Sequence, residues 1–364
     1  MTDTQNPALK EIFNLERLHH FARELTELDP SFDGQRFIDL ASANLETLGI
    51  MQRLRRIAET LGAVLPGSYG DRLDLLKAFA PRIDHGFASI VLPEFVALHG
   101  LDDPASSLDA LAFFTRFGSS EFAIRHFLLR DLPGTLAVMK GWAENDDAHV
   151  RRLASEGSRP RLPWSFQLKA VMADPSLTAP ILARLNRDPS LYVRKSVANH
   201  LNDITKDNPD FALASAAGWD RDDPRTAWIV RHALRNLIKQ GHPRALALIG
   251  IDIGATARLL ALSLEPASLS LGETLILRAS LHSTAKTRER FVIDYAVHYV
   301  RKNGPASRKV FKLKELTLLP GETASVSIAQ TIRDFTTRKH YPGYHRVELM
   351  ANGAVIGESG FDLV

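Results

Sequence analysis

In the segment YVRKSVANHLNDITKDNPD, which begins at Tyr192, the apolar residues Val193, Val197, Leu201 and Ile204 recur at the spacing of one helix face. Lys195, Asn199, Asn202, Asp203 and Lys206 fall on another side at the same spacing. Cationic and amide donors in such a stripe suit a phosphate backbone, which is recognised by charge and hydrogen bonding rather than by base identity. One carboxylate, Asp203, stands among them. Its plain alternative is an inert helix-end residue, a place where Asp and Asn are common.

Three further residues invite the same question. Glu156 is the lone acid in a cluster formed by Arg151, Arg152, Arg159, Arg161 and Lys169, and it either faces a substrate or pairs with Arg152 or Arg159 as scaffolding. Glu121 follows Ser119 and Ser120 at a predicted helix start, where the helix dipole favours an acid whatever its function. Trp164 opens WSFQLKAVM directly after SRPRLP, so its ring either packs as a core residue or faces a ligand beside Arg159 and Arg161. Arg152, Arg159, Arg161, Lys195 and Asn199 together are the phosphate-binding candidates. His19, His20, His282 and His298 show no metal-ligand spacing, and Walker, GxGxxG and GxSxG patterns are missing. The expectation is therefore no cofactor and no metal.

These residues need elements to position them. DDAHVRRLASEG, LYVRKSVANHLNDI and AWIVRHALRNLIKQ each carry a Val-Arg pair in an amphipathic helix, with the arginines Arg151, Arg194 and Arg231 roughly forty residues apart. Each helix follows another, such as GTLAVMKGWAE or TAPILARLNRD. Paired helices of this period are the HEAT or armadillo pattern, whose units bury their apolar faces only by stacking into a solenoid with an extended concave surface. In register across three units, Arg152 and Glu156, then Lys195 and Asn199, then His232, Asn236 and Gln240 make one polar band.

From Arg258 onward the period changes to two. ETLILRASLHS, RFVIDYAVHYV, RKVFKLKELTL, ETASVSIAQTI and YHRVELMAN are β-branched, aromatic-rich runs between turn signals, and Asn352-Gly353 is a two-residue hairpin signal. With ARLLALSLE they make about seven strands, the profile of an immunoglobulin-like sandwich. The expected division is a helical-repeat domain over 1–254 and a sandwich over 258–364. The basic run Lys286, Arg288, Arg290, Arg301, Lys302, Arg308, Lys309, Lys312 and Lys314 is either a phosphate-binding surface or a solvated one.

Composition narrows the class. Hydrophobic residues make up 45% and charged residues 24%, the profile of a soluble globular protein, and apolar runs such as SIVLPEFVAL are too short to span a bilayer. The polar, acidic start does not resemble a secretory signal. The absence of cysteine excludes disulfides and thiolate chemistry and fits a reducing cytoplasm. A net charge of +3 does not by itself identify a nucleic-acid binder.

SSEFAIRHFL from Ser119, HVRRLASEGSRPRLPW from His149 and YVRKSVANHLNDITKDNPD closely resemble the AlkC branch of bacterial DNA alkylation-repair glycosylases, within the HEAT-like superfamily that also contains AlkD. Some AlkC-type proteins carry a C-terminal immunoglobulin-like domain. One departure is His126, where Pro is expected. The resemblance implies a monofunctional enzyme that removes cationic N-alkylated bases, chiefly 3-methyladenine and also 3-methylcytosine, from duplex DNA and leaves an abasic site. It further implies work on bent DNA without swallowing the base, unlike glycosylases that extrude it into a pocket. Such a base is already a good leaving group, so the remaining barrier is the oxocarbenium-like sugar. A carboxylate near C1′ stabilises that cation and can orient or deprotonate the attacking water, and an aromatic face adds cation–π attraction. On this reading Asp203, Trp164, Glu121 and Glu156 are the catalytic candidates. The partner is alkylated double-stranded DNA, with no membrane and no obligate protein partner, and the protein is expected to be a cytoplasmic monomer, at the nucleoid during repair. The competing readings are a non-catalytic HEAT-repeat DNA-binding scaffold and a protein–protein adaptor.

Overall fold

The computed structural model describes residues 9–251, 256–335 and 339–364. Helices occupy the span from Leu9 to Leu248 and strands the span from Ala257 to Leu363. By packing, the chain forms two compact units. The first runs up to Ala212 and includes Trp219–Ile229; the second comprises Leu213–Gly218 and Val230–Val364. The change from helical to strand period comes later in sequence, and residues 252–255 at that change lie outside the described residues.

Capping side chains start many of the helices. Asp147 accepts a hydrogen bond from the His149 amide at the head of the Ala148–Gly157 helix, Asp131 does the same for Gly134, and Ser68 forms a capping box with Asp71. The Val-Arg pair has a structural task in two of its three copies. Arg151 Nη1 donates to the carbonyls of Asn145 and Asp146 at 2.9 and 2.8 Å. Arg194 Nη1 donates to those of Asp188 and Pro189, both at 2.8 Å. Each arginine thus staples the turn that leads into its own helix. Arg151 also grips Asp188 of the next turn through Nε at 2.6 Å, tying one repeat to the following one.

The third copy departs from this pattern. AWIVRHALRNLIKQ is expected to be one helix, yet it divides into Pro224–Ala233 and Arg235–Lys239, with Leu234 at φ −85° and ψ 7° between them. Among the described residues Arg231 makes no turn staple of that kind, and it forms an ion pair with Glu315 inside the second unit.

The strands of that unit are β1 (Ala257–Glu265), β2 (Ser268–Leu269), β3 (Thr274–Ser283), β4 (Glu289–Tyr299), β5 (Ser307–Leu318), β6 (Thr323–Thr331), β7 (Gly343–Ala351) and β8 (Ala354–Leu363). One sheet has the order β1-β3-β6 and the other β2-β8-β7-β4-β5. Alternation puts Leu275, Leu277 and Leu281 of β3 into a core with Phe291, Ile293, Val297, Val347 and Leu349 of the facing sheet. Asn352 and Gly353 take φ of 48° and 80°, the two positive values that a type I′ hairpin requires, and Ala351 pairs with Ala354 across it. The backbone of Gly353 meets that of Gly241 so closely that a Cβ on Gly353 would lie 2.1 Å from the Gly241 Cα.

Candidate active site

The Ala148–Gly157 and Leu191–Ile204 helices of the first unit pack against each other through Val150, Leu153, Val193, Val197 and Leu201, all buried. Helical spacing then puts Arg152 and Glu156 one turn apart on the first helix and Asp203 near the end of the second. Gly157 ends the first helix, and the following loop carries Arg159, Arg161 and Trp164.

Packing links these side chains into one alternating series. Arg152 Nη1 donates to Glu121 Oε2 at 2.6 Å, and its Nη2 lies 3.7 Å from Glu156 Oε1. Arg159 Nη1 donates to the same Glu156 oxygen at 2.6 Å, while its Nε donates to Asp203 Oδ2 at 2.9 Å. Lys206 Nζ donates to Asp203 Oδ1 at 2.9 Å. The order is therefore Glu121, Arg152, Glu156, Arg159, Asp203, Lys206. Burial works against the charge on Arg152 and Arg159, but the flanking carboxylates outweigh it and raise both pKa values.

The carboxylates differ in what they have left to offer. Both oxygens of Asp203 are held, and its side chain is only 3% exposed. Glu121 Oε2 also accepts from the Ser119 hydroxyl at 2.7 Å. Among the described residues, no donor is seen on Glu121 Oε1 or Glu156 Oε2. Two fixed carboxylates thus each keep an oxygen for an incoming donor or a cation.

Arg161 pairs in bidentate fashion with Asp207 at 2.8 and 2.6 Å, and Lys195 is exposed while Asn199 is half-buried. The polar stripe read from helical spacing is consequently not one solvated band: Asn202 and Asp203 are buried in it. Trp164 is 64% exposed, takes a left-handed φ of +64°, and meets Phe87 edge-on at 6.5 Å.

Three supporting residues escape a reading of periodicity. Arg125 is fully buried; its guanidinium donates to the carbonyls of Gly157 and Arg159 at 3.0 and 2.7 Å, and to that of Phe166, so it clasps the loop that carries Arg159 and Trp164. Burial lowers its pKa to about 10, leaving it charged. The available signal was an arginine flanked by Ile124, Phe127 and Leu128 on an apolar helix face. His200 is buried with Nδ1 2.9 Å from the Ser155 carbonyl and Nε2 3.2 Å from the Thr178 hydroxyl. Burial drops its pKa to about 3, so a neutral ring holds the residue next to Glu156. Tyr192, at the start of its helix, lies under the Arg152 guanidinium, 4.8 Å from ring centroid to Cζ.

Among the described residues, no group of three or more His, Asp or Glu side chains is arranged to hold a metal ion. No described helix is long and apolar enough to cross a membrane.

Residues 258–364 match the family model described as the C-terminal Ig-like domain of the uncharacterised protein YhaZ. Over 348 residues the chain is 40% identical to the uncharacterized protein YhaZ of Bacillus subtilis (strain 168), covering 95% of this chain and 97% of that one. A solved structure, the Pseudomonas fluorescens alkylpurine DNA glycosylase AlkC bound to DNA containing an abasic site analog, is 54% identical with a TM-score of 0.96, covering 98% of this chain and 100% of that one. With likeness of this extent running through both the helical repeats and the Ig-like end, the chain belongs to the AlkC-type family, in the form that carries a C-terminal Ig-like domain.

Proposed function

We propose that this protein is a monofunctional DNA glycosylase that releases cationic N-alkylated bases, 3-methyladenine first and 3-methylcytosine second, from double-stranded DNA. The observation that carries the reading is the buried alternating series of acids and cations, with an oxygen of Glu121 and of Glu156 left open, in a chain 54% identical to an alkylpurine DNA glycosylase. In the reaction the C1′–N bond breaks and its electron pair leaves with the base, which becomes neutral. The oxygen of water bonds to C1′, and its proton passes to a carboxylate.

Asp203, with Arg159 and Lys206 fixing both its oxygens, supplies a stationary negative charge rather than a mobile base. Glu121 or Glu156, each with an uncommitted oxygen, receives the water. Trp164 offers an exposed aromatic face to the bent duplex, which is read without base flipping. Lys195 and Asn199 face the phosphates, with Arg152, Arg159 and Arg161 adding positive potential while tied to their acids. The sandwich clamps the DNA, the protein acts as a monomer, and the chemistry needs no cofactor.

The test uses duplexes that carry a single 3-methyladenine. The wild-type protein is expected to release the base, and Asp203→Asn to lose about 10²–10³-fold in single-turnover rate while retaining affinity for abasic-site DNA. A wild-type protein that binds such DNA with salt-dependent affinity yet releases no methylated base would instead be a HEAT-repeat binding scaffold.

A further inference from the structure

Tyr192 is 44% exposed, unlike the fully buried Val193 next to it, although it sits where two helices of the candidate site meet. One face of its ring is covered by the Arg152 guanidinium at 4.8 Å, and the His149 ring approaches edge-on at 5.5 Å. Arg152 and His149 are a helical turn apart on the Ala148–Gly157 helix, so the contact joins two repeats at the site.

Arg152 is the only guanidinium in the series that serves both glutamates with an open oxygen, and its hold on them is uneven. Its bond to Glu121 is short at 2.6 Å, but Glu156 lies 3.7 Å away, beyond hydrogen-bond range. Nη1 also donates to the Ser119 hydroxyl at 3.0 Å, so one end of the guanidinium is firmly held while the Nη2 end is free to turn away from Glu156. The Tyr192 ring supplies the missing restraint, because a guanidinium lies flat on an aromatic face in one plane. The phenol stays protonated at neutral pH: burial raises its pKa, Arg152 opposes that shift, and Glu121 and Glu156 add to it.

Resting on the glycosylase reading above, we propose that Tyr192 is a positioning residue for base release. Its ring face holds Arg152 between Glu121 and Glu156 and so fixes the two carboxylates that can receive the water. The stacked ring face, rather than the hydroxyl contact that Arg152 also makes, carries the effect. Because Tyr192 acts through an ion pair, its loss also makes the rate more sensitive to salt.

The experiment compares Tyr192→Leu and Tyr192→Phe with the wild-type protein in single-turnover release of 3-methyladenine at low and high salt, with affinity for abasic-site DNA measured alongside. Tyr192→Leu is expected to slow release about fivefold at low salt, the size of one partly exposed cation–π contact, and by more at high salt, with affinity changed less than twofold. Tyr192→Phe is expected to stay within twofold of the wild type at both. A Tyr192→Leu rate equal to the wild type, a Tyr192→Phe rate as slow as that of Tyr192→Leu, or a loss confined to affinity would each overturn the assignment. If the wild-type protein releases no base, the glycosylase reading fails and this inference falls with it. An active wild type with an unaffected Tyr192→Leu variant sinks the inference alone.

Discussion

In the helical unit, Glu121, Glu156 and Asp203 alternate with Arg152, Arg159 and Lys206, and each arginine is shared between two acids. In the sandwich unit a single acid instead gathers several cations. Glu348 on β7 accepts from His298 at 2.8 Å and Arg308 at 2.9 Å, with Arg346 at 2.8 Å, and Glu315 on β5 is ringed by Arg231, Arg290 and Lys312. Alternation fixes several carboxylates in place and nearly cancels their charge, while oxygens remain for chemistry. The hub at Glu315 leaves surplus positive charge, three cations to one acid, whereas at Glu348 the Arg346 guanidinium is also shared with Glu358. The first arrangement is the one the proposed reaction needs, and the second would raise the local positive potential.

The contrast can be broken most directly at the centre of the series. Glu156→Gln is expected to slow base release by about 10²-fold, as loss of a preorganised charge does, and to lower thermal stability because breaking a buried ion pair costs about 3–5 kcal/mol. Glu348→Gln, the matching change at a hub, should leave the rate within a few-fold. Equal effects in release assays and thermal melts would erase the distinction between the two arrangements.

A smaller effect separates two acids within the sandwich unit itself. Asp294 is 2% exposed, and burial raises its pKa to about 6 despite Lys239 and Lys312 nearby. Between the ordinary value of 3.8 and about 6 the folded protein binds this proton and the unfolded chain does not. Stability therefore falls as pH rises through that window. Asp294→Asn should raise the melting temperature by a few degrees at pH 7–8 and lose that advantage near pH 4. A constant difference across the range would rule out titration of this carboxyl as the cause.

The smallest expected effect has the opposite sign. Burial raises the Glu315 pKa, but hydrogen bonds from Lys312 and Arg290 and the charge of Arg231 overcome it and hold the value at about 2. Its contribution is complete above the ordinary glutamate range and is lost as pH falls through about 2. Glu315→Gln should lower the melting temperature slightly at neutral pH, since partly exposed pairs contribute about 1 kcal/mol or less. The deficit should shrink as melts are taken down towards pH 2; a deficit unchanged there would point to lost packing instead.

Much of this was legible as period and turn chemistry. The apolar face of YVRKSVANHLNDI is the buried face, the switch from a period of 3.6 to 2 marks the onset of strands, and Asn352-Gly353 forms the expected hairpin turn. The acids were legible as types, but their partners were not. Glu121 meets Arg152 and Arg159 meets Asp203 only because separate repeats pack, and local spacing carries no trace of that. The same blindness hides Arg125, whose partners are backbone carbonyls of a later loop, and the irregular turn at Leu234 inside a continuous helical pattern.

The meeting of Gly241 with Gly353 bears on how this protein can be cut and recombined. With no side chain on either residue, the turn after the Arg235–Lys239 helix and the β7–β8 hairpin tip touch backbone to backbone, and any larger residue at either place would wedge them apart. Helices that read as the end of the solenoid are thereby moulded to the sandwich. A fragment ending where the strand period begins would bare the Val230–Leu248 surface, whereas a joint placed between Ile229 and Val230 would carry the moulded pair together. Chimeras that exchange the Ig-like region between relatives should therefore succeed only when they inherit both glycines.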